Sequence, residues 1–217
     1  MTDMTDNKTK LKTTRTGSLW LPVFLWYNHI MKTILLASSS PRRIEMMKQH
    51  GLDPIIRPSD VSESLPIDLE PHIAVMYLAL KKALHAQSQQ KIMSPARILA
   101  ADTIVVLDGR IIGKPKNKEE AFLTLSMLRK KPHHVITGVC VIDLETDRKT
   151  CFYDTSTVYF TDYSDEELQA YVNTKEPYDK AGGYAIQGTF GKYVDHIEGD
   201  RDNIIGLPWY RVEKLLK

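Results

Sequence analysis

The chain has 217 residues, 29 basic against 27 acidic side chains, 42% apolar and 26% charged residues, and two cysteines. This profile excludes disorder, collagen and coiled coil for the chain as a whole, and a chain this long buries enough surface to fold without a disulfide or metal staple. The first thirty residues carry Lys8, Lys10, Lys12 and Arg15 against Asp3 and Asp6, leaving 25 residues of each sign in the remainder. A neutral body lacks the basic excess of a non-specific nucleic-acid binder, so any anion site must come from local clustering of cations.

Leu19 to Tyr27 is apolar and follows a basic stretch, as in a signal peptide. The uncharged segment from Thr16 to Met31 is nevertheless shorter than the roughly 18 residues of a spanning helix, and Pro22 interrupts it. No small-x-small cleavage site follows before Ala37. Residues 1–30 therefore read as a poorly ordered extension with no membrane role, Met31 as the natural start, and 31–217 as the working domain.

Thr33 to Ala37 reads as a short buried strand, and Ser40 with Pro41 opens a helix running to about His50. A long helix is expected from Pro71 to about Gln90, with Ile73, Met76, Tyr77, Leu80 and Leu84 on its core face. Ile98 to Leu107 reads as a strand, turned by Asp108-Gly109 into Arg110 to Ile112. Asn117 and Glu120 resemble a capping box for a helix reaching Arg129. Val135 to Leu144 and Thr150 to Phe160 read as paired long strands. Ser164 and Glu167 open another helix, ending near Asn173. Residues 174–191 hold four glycines without a clean period and read as a functional loop. A strand near Lys192 to Ile197 and a helix after Pro208 close the chain. The alternation gives an α/β fold with a mixed twisted sheet. Cys140 and Cys151 lie on strands that a hairpin would bring together; they read as two small core residues in a reducing compartment, with a disulfide left open.

Four features bear on chemistry. In the strand–SSSPRR–helix element, unpaired N–H groups, the helix dipole and the serine hydroxyls of Ser38 to Ser40 face the same end. Arg42 and Arg43 sit in that first turn, where cations disfavour the helix unless an anion joins them. Asp102 lies inside an apolar strand, so it either pairs with a buried cation or works as a base or metal ligand. Lys82, Lys114 and Lys180 read as lying in element-terminal or loop settings, and they and the two arginines would suit a polyphosphate if they converge. In the glycine-rich loop, Gln187 is suited to reading a base edge and Asp179 is a further carboxylate. Walker, GxGxxG, HExxH and GxSxG patterns are absent from the sequence, so Ser38 to Ser40 read as ligand donors rather than a nucleophile.

Five motifs in order, LLASSSPRR (35–43), AADTIV (100–105), GKP (113–115), EPYDKAGGYAIQG (176–188) and IIGLP (204–208), resemble the Maf family of nucleotide pyrophosphatases over residues 32–217. The resemblance implies a Maf-type, ITPase-like α/β fold around a central cleft, a divalent cation (Mg²⁺ or Mn²⁺), cytoplasmic localisation and a homodimer. It implies that Asp102 is the proton acceptor and a metal ligand, and that Arg43, Thr103 and Gln187 govern substrate specificity. It further implies that Ser38, Arg42, Glu63, Lys82, Lys114, Asp179 and Lys180 line the site. One branch of the family prefers dTTP and UTP, another a 7-methylated guanosine triphosphate; SPRR and YAIQG resemble the first. Ser39 and Gly138 depart from the pattern by standing where other small residues are expected.

Two functions follow as expectations. The first is hydrolysis of dTTP and UTP to the monophosphate and pyrophosphate, without stable nucleic-acid binding. The rival is a non-catalytic nucleotide or nucleic-acid binding protein linked to septum formation; the neutral body and the lack of basic–aromatic stripes count against it.

Overall fold

In a computed structural model, the structure describes residues 33–89 and 96–216, so the extension expected over residues 1–30 lies outside the described residues. The elements are β1 (Ile34–Leu36), α1 (Pro41–Gln49), β2 (Ile55–Ile56), α2 (Pro71–Ser88), β3 (Arg97–Leu107), β4 (Arg110–Ile112) and α3 (Lys118–Leu128). There follow β5 (His133–Asp143), β6 (Arg148–Phe160), α4 (Asp165–Val172), three short 3₁₀ turns between Pro177 and Tyr193, β7 (Val194–Glu198), α5 (Arg201–Ile205) and α6 (Trp209–Leu216). One seven-stranded sheet runs β2-β1-β3-β5-β6-β7, with β4 paired to β3. It is mixed: β1 is parallel to β2 and β3, and the remaining pairs are antiparallel.

The two-residue alternation of a strand divides the core between the sheet's faces. Ile34, Leu36, Leu99 and Ala101 join Met46 and Met47 of α1 and Trp209 and Val212 of α6. Leu35, Ala37, Ile98 and Ala100 join Ala79, Ala83 and Ala86 of α2. A third cluster gathers Leu125, Leu128, Leu168 and Phe160 beneath α3 and α4.

The core face of α2 differs from the expected one. Ala74, Val75, Leu78, Ala79, Lys82, Ala83 and Ala86 are buried, whereas Ile73 and Leu84 are about two-fifths exposed. The physical reason is a close approach. A Cβ on Gly138 of β5 would lie 2.4 Å from the Val75 carbonyl carbon and oxygen. The helix thus rests on the sheet backbone to backbone at that point, and Ala79, Ala83 and Ala86 pack on the sheet where larger residues were expected.

Local signals act mostly as expected. Asp108 and Gly109 both take positive φ, as a type I′ hairpin requires. Ser164 and Glu167 form a reciprocal capping box. Asn117 caps the Glu120 N–H, but Glu120 accepts from the Lys116 N–H rather than from Asn117. Ser40 occupies the N-cap position of α1 without bonding through its side chain. The 3₁₀ turns, β2 and α5 were not expected as elements. Cys140 and Cys151 face each other in register as free thiols, Cys140 buried and Cys151 exposed, so only the first is a core residue.

The strand register opens a gap that positions the site. On one side β3 pairs with β1 only through Leu99 and with β4 only from Val105. Between them, Ala100 to Ile104 have no strand neighbour on that side. Asp102 lies at the middle of this break.

Candidate active site

A cavity of about 770 Å³ occupies the break. Eleven of the residues lining it are the candidates named from the sequence: Ser38, Arg42, Arg43, Glu63, Lys82, Asp102, Thr103, Lys114, Asp179, Lys180 and Gln187. They come from the turn before α1, from α1 itself, the segment before α2, α2, β3, the turn after β4 and the glycine-rich loop. Five lining side chains are cationic (Arg42, Arg43, Lys82, Lys114, Lys180) and three anionic (Glu63, Asp102, Asp179), an excess of two positive charges.

The alternation along β3 sends Asp102 towards α2, as it does Ile98 and Ala100. There the Lys82 ammonium donates to Asp102 Oδ1 at 2.6 Å and to Glu63 Oε1 at 2.7 Å. The Lys82 and Asp102 side chains are each 11% exposed, so neither charge would be tolerated without the other. Lys82 also holds the Glu63 carboxyl below the usual carboxylate range, against the opposing effect of burial and with help from Lys114 and Arg43. Two hard oxygen donors therefore converge on one ammonium. Among the described residues no group of three or more His, Cys, Asp or Glu is placed to hold a metal ion. The pair of carboxylates fits a cation that takes one or two protein oxygens and completes its shell from phosphate and water.

Arg42 and Arg43 part company. Arg42 is half-buried at the cavity wall, with Nη1 3.8 Å from Asp179 Oδ2. Arg43 is buried and turned inward. Its Nε donates to the Gly206 carbonyl (2.8 Å), Nη1 to the Ala101 carbonyl (2.9 Å) and Ser38 Oγ (3.1 Å), and Nη2 to Thr103 Oγ1 (2.9 Å). Burial pulls its pKa below the ordinary value, and neighbouring Asp102 works the other way. The paired forks expected at the head of α1 are thus one fork facing the cavity and one hub behind it. Ser38, Ser40 and the α1 amino terminus remain as donors on the same wall, because no side chain caps that helix.

Beside Arg42, across Asp179, Lys180 bonds the Glu176 carbonyl at 2.5 Å and contacts Asp179 itself. Burial opposes ionisation of Asp179, yet Lys180 and Arg42 keep its pKa lowered. Lys114 and Gln187 are exposed on the rim. Charge and donors on these walls suit an anion; the remaining wall is apolar.

The model of the Maf-like protein family matches residues 33–217. The chain is 45% identical over 194 residues to a dTTP/UTP pyrophosphatase of Caldicellulosiruptor bescii, covering 86% of this chain and 94% of that protein. Proteins of the same name from Bacillus anthracis (43%) and Alkaliphilus oremlandii (40%) match 86% of the chain and 95% and 96% of their own lengths. The chain belongs to the Maf family.

Sequence reasoning missed one wall of the Maf cavity: Leu65, Leu78, Ile104, Ile112, Tyr184 and Ile186 line it with apolar surface. The available signal was the mismatch between an eleven-residue β3 and its three-residue neighbours β1 and β4, which leaves part of β3 without a strand neighbour on one side. Thr137 and Asn203 also form a buried layer behind the site, Thr137 Oγ1 bonding Thr103 Oγ1 and the Asn203 carbonyl at 2.9 Å each.

Behind Tyr184, His133 is fully buried, with Nε2 2.6 Å from the tyrosine hydroxyl and Nδ1 3.4 Å from the Lys131 carbonyl. Burial pushes the imidazole down to about 4, although the Lys131 carbonyl pulls it upward. The folded chain therefore binds fewer protons here than the unfolded one, whose histidine titrates near 6.5. The contribution is fully present above pH 6.5 and is lost as pH falls towards 4. Its full size is about 3 kcal/mol. Chemical denaturation from pH 7 to 4 is expected to give a steeper fall for the native chain than for His133→Gln. Equal slopes would remove His133 from the acid response.

Proposed function

We propose that this Maf chain hydrolyses dTTP and UTP between the α- and β-phosphates, yielding the monophosphate and pyrophosphate. The observation that carries the reading is the convergence of a buried carboxylate, five cations and the uncapped amino terminus of α1 on one cavity. The relatives' shared name, dTTP/UTP pyrophosphatase, supports the substrate pair.

In this reading Asp102 accepts the proton of an attacking water. Its Oδ1 is held by Lys82, which fixes the carboxylate in the break of the sheet and leaves Oδ2 for the water. The water oxygen bonds the α-phosphorus, the bond from that phosphorus to the bridging oxygen breaks, and pyrophosphate leaves. Arg42, Lys114, Lys180 and the α1 N–H groups receive the polyphosphate and the charge that develops on its departure. Arg43 holds Ser38 and Thr103 in position, and Thr103 and Gln187 face the base, with apolar side chains supplying the surface for its ring. Asp102 and Glu63 would hold the Mg²⁺ or Mn²⁺ ion together with phosphate oxygens. When bound, that ion supplies charge neutralisation at the phosphates.

The same reading takes residues 31–217 as the catalytic domain, the cytoplasm as its compartment, a homodimer as its assembly and no nucleic acid as partner. Among the described residues no helix is long and apolar enough to cross a membrane. A nucleotide panel with Mg²⁺ and pyrophosphate detection tests the activity. Pyrophosphate is expected from dTTP and UTP; orthophosphate alone, or salt-sensitive DNA or RNA binding without turnover, would overturn it.

A further inference from the structure

Three of the residues that line the cavity, Asp179, Lys180 and Gln187, ride on one loop, and something must fix that loop. Its two ends are joined by a single side chain. Glu176 accepts from the Thr189 N–H at 3.0 Å through Oε1 and from the Thr189 hydroxyl at 2.7 Å through Oε2. The carboxylate lies directly over Gly188. A Cβ at Gly188 would lie 1.8 Å from Glu176 Oε1 and 2.9 Å from Cδ. Gly188 has φ −91°, a value open to any residue, so its backbone does not demand glycine. What demands it is the space the carboxylate occupies.

We propose that Glu176 is a positioning residue: its carboxylate, seated over Gly188, latches residues 177–188 closed and sets where Gln187 and Lys180 meet the substrate. This rests on the proposed nucleotide reading for its effect on catalysis, though the latch itself does not. Gln187 is the residue immediately before Gly188, so loosening the latch disturbs base discrimination more than it disturbs Asp102 and Lys82, which lie on β3 and α2.

The geometry makes Gly188→Ala an indirect way to break the same contact. The added methyl must push the flexible carboxylate off Thr189, because the carboxylate is the nearest atom group. Glu176→Ala and Gly188→Ala should therefore behave alike, and the double variant should be no worse than either single one, the non-additivity expected of two positions that share one contact. Glu176→Gln retains an acceptor for the N–H and a donor for the hydroxyl, so it should restore most of the native behaviour.

Two measurements test this on the full chain. In native-state trypsin digestion followed by mass spectrometry, cleavage after Lys180 should be about tenfold faster in Glu176→Ala and Gly188→Ala than in the native chain or Glu176→Gln. In steady-state kinetics, the ratio of kcat/KM for dTTP to that for dATP should fall about tenfold in both alanine variants, with global thermal unfolding little changed. Native cleavage rates in both variants, or additive effects in the double variant, overturn the latch. Absence of dTTP turnover in the native chain would instead reject the functional reading, and the digestion would still decide the latch.

Discussion

Asp102→Asn is expected to lower pyrophosphate release from dTTP by about a hundredfold or more, the usual loss when a positioned acid–base group is removed. The substitution is nearly isosteric, and its amide oxygen can still accept from Lys82, so the fold should survive. What disappears is the capacity to take up a proton at a point where both Asp102 and Lys82 are 11% exposed and bulk water is a poor substitute. Stopped assays with matched circular dichroism would separate lost chemistry from lost structure. A properly folded variant within a few-fold of native activity would remove Asp102 from the proton-accepting role.

Arg43→Lys should be far more damaging to the fold than charge conservation suggests. The arginine spans acceptors on three segments: Ser38 before α1, Ala101 and Thr103 on β3, and Gly206 after α5. An ammonium is a single point with three donors and cannot reach all four acceptors, so at least one buried oxygen loses its partner. We expect a loss of about 3 kcal/mol, near the usual cost of breaking a buried charged network. At roughly 2–4 °C per kcal/mol for a chain of this size, the melting temperature should fall by about 6–12 °C. Calorimetry checks this. An unchanged melting temperature with a raised KM for nucleotide would mean that the guanidinium serves the phosphate directly, contrary to its inward hydrogen bonds.

These two residues also mark what the sequence made legible. Asp102 stood out because a carboxylate in the run ILAADTIVV contradicts its surroundings, and that contradiction is visible without coordinates. Arg42 and Arg43 were equally visible, but adjacent positions on a helix point about 100° apart, and nothing local says which one turns inward. Glu63 lies in a segment with no period and was legible only through family resemblance; its meaning comes from Lys82, nineteen residues away. The face of α2 was misread for a related reason. Hydrophobic periodicity assigns the largest apolar residues to the core, whereas the contact at Gly138 selects the smallest. Strand β2 has two residues and α5 has five, too few for any period to register.

The contact between Val75 and Gly138 reaches further than packing. With no clearance between two main chains, that point acts as a fulcrum for α2, and Lys82 sits two turns along the lever, about 10 Å away at 1.5 Å per residue. A tilt of only 5° about the fulcrum would swing the ammonium by roughly 1 Å, enough to break its grip on Asp102. Bulk added anywhere along the alanine stripe is therefore transmitted to the carboxylate, and drift in those small residues is drift in the chemistry.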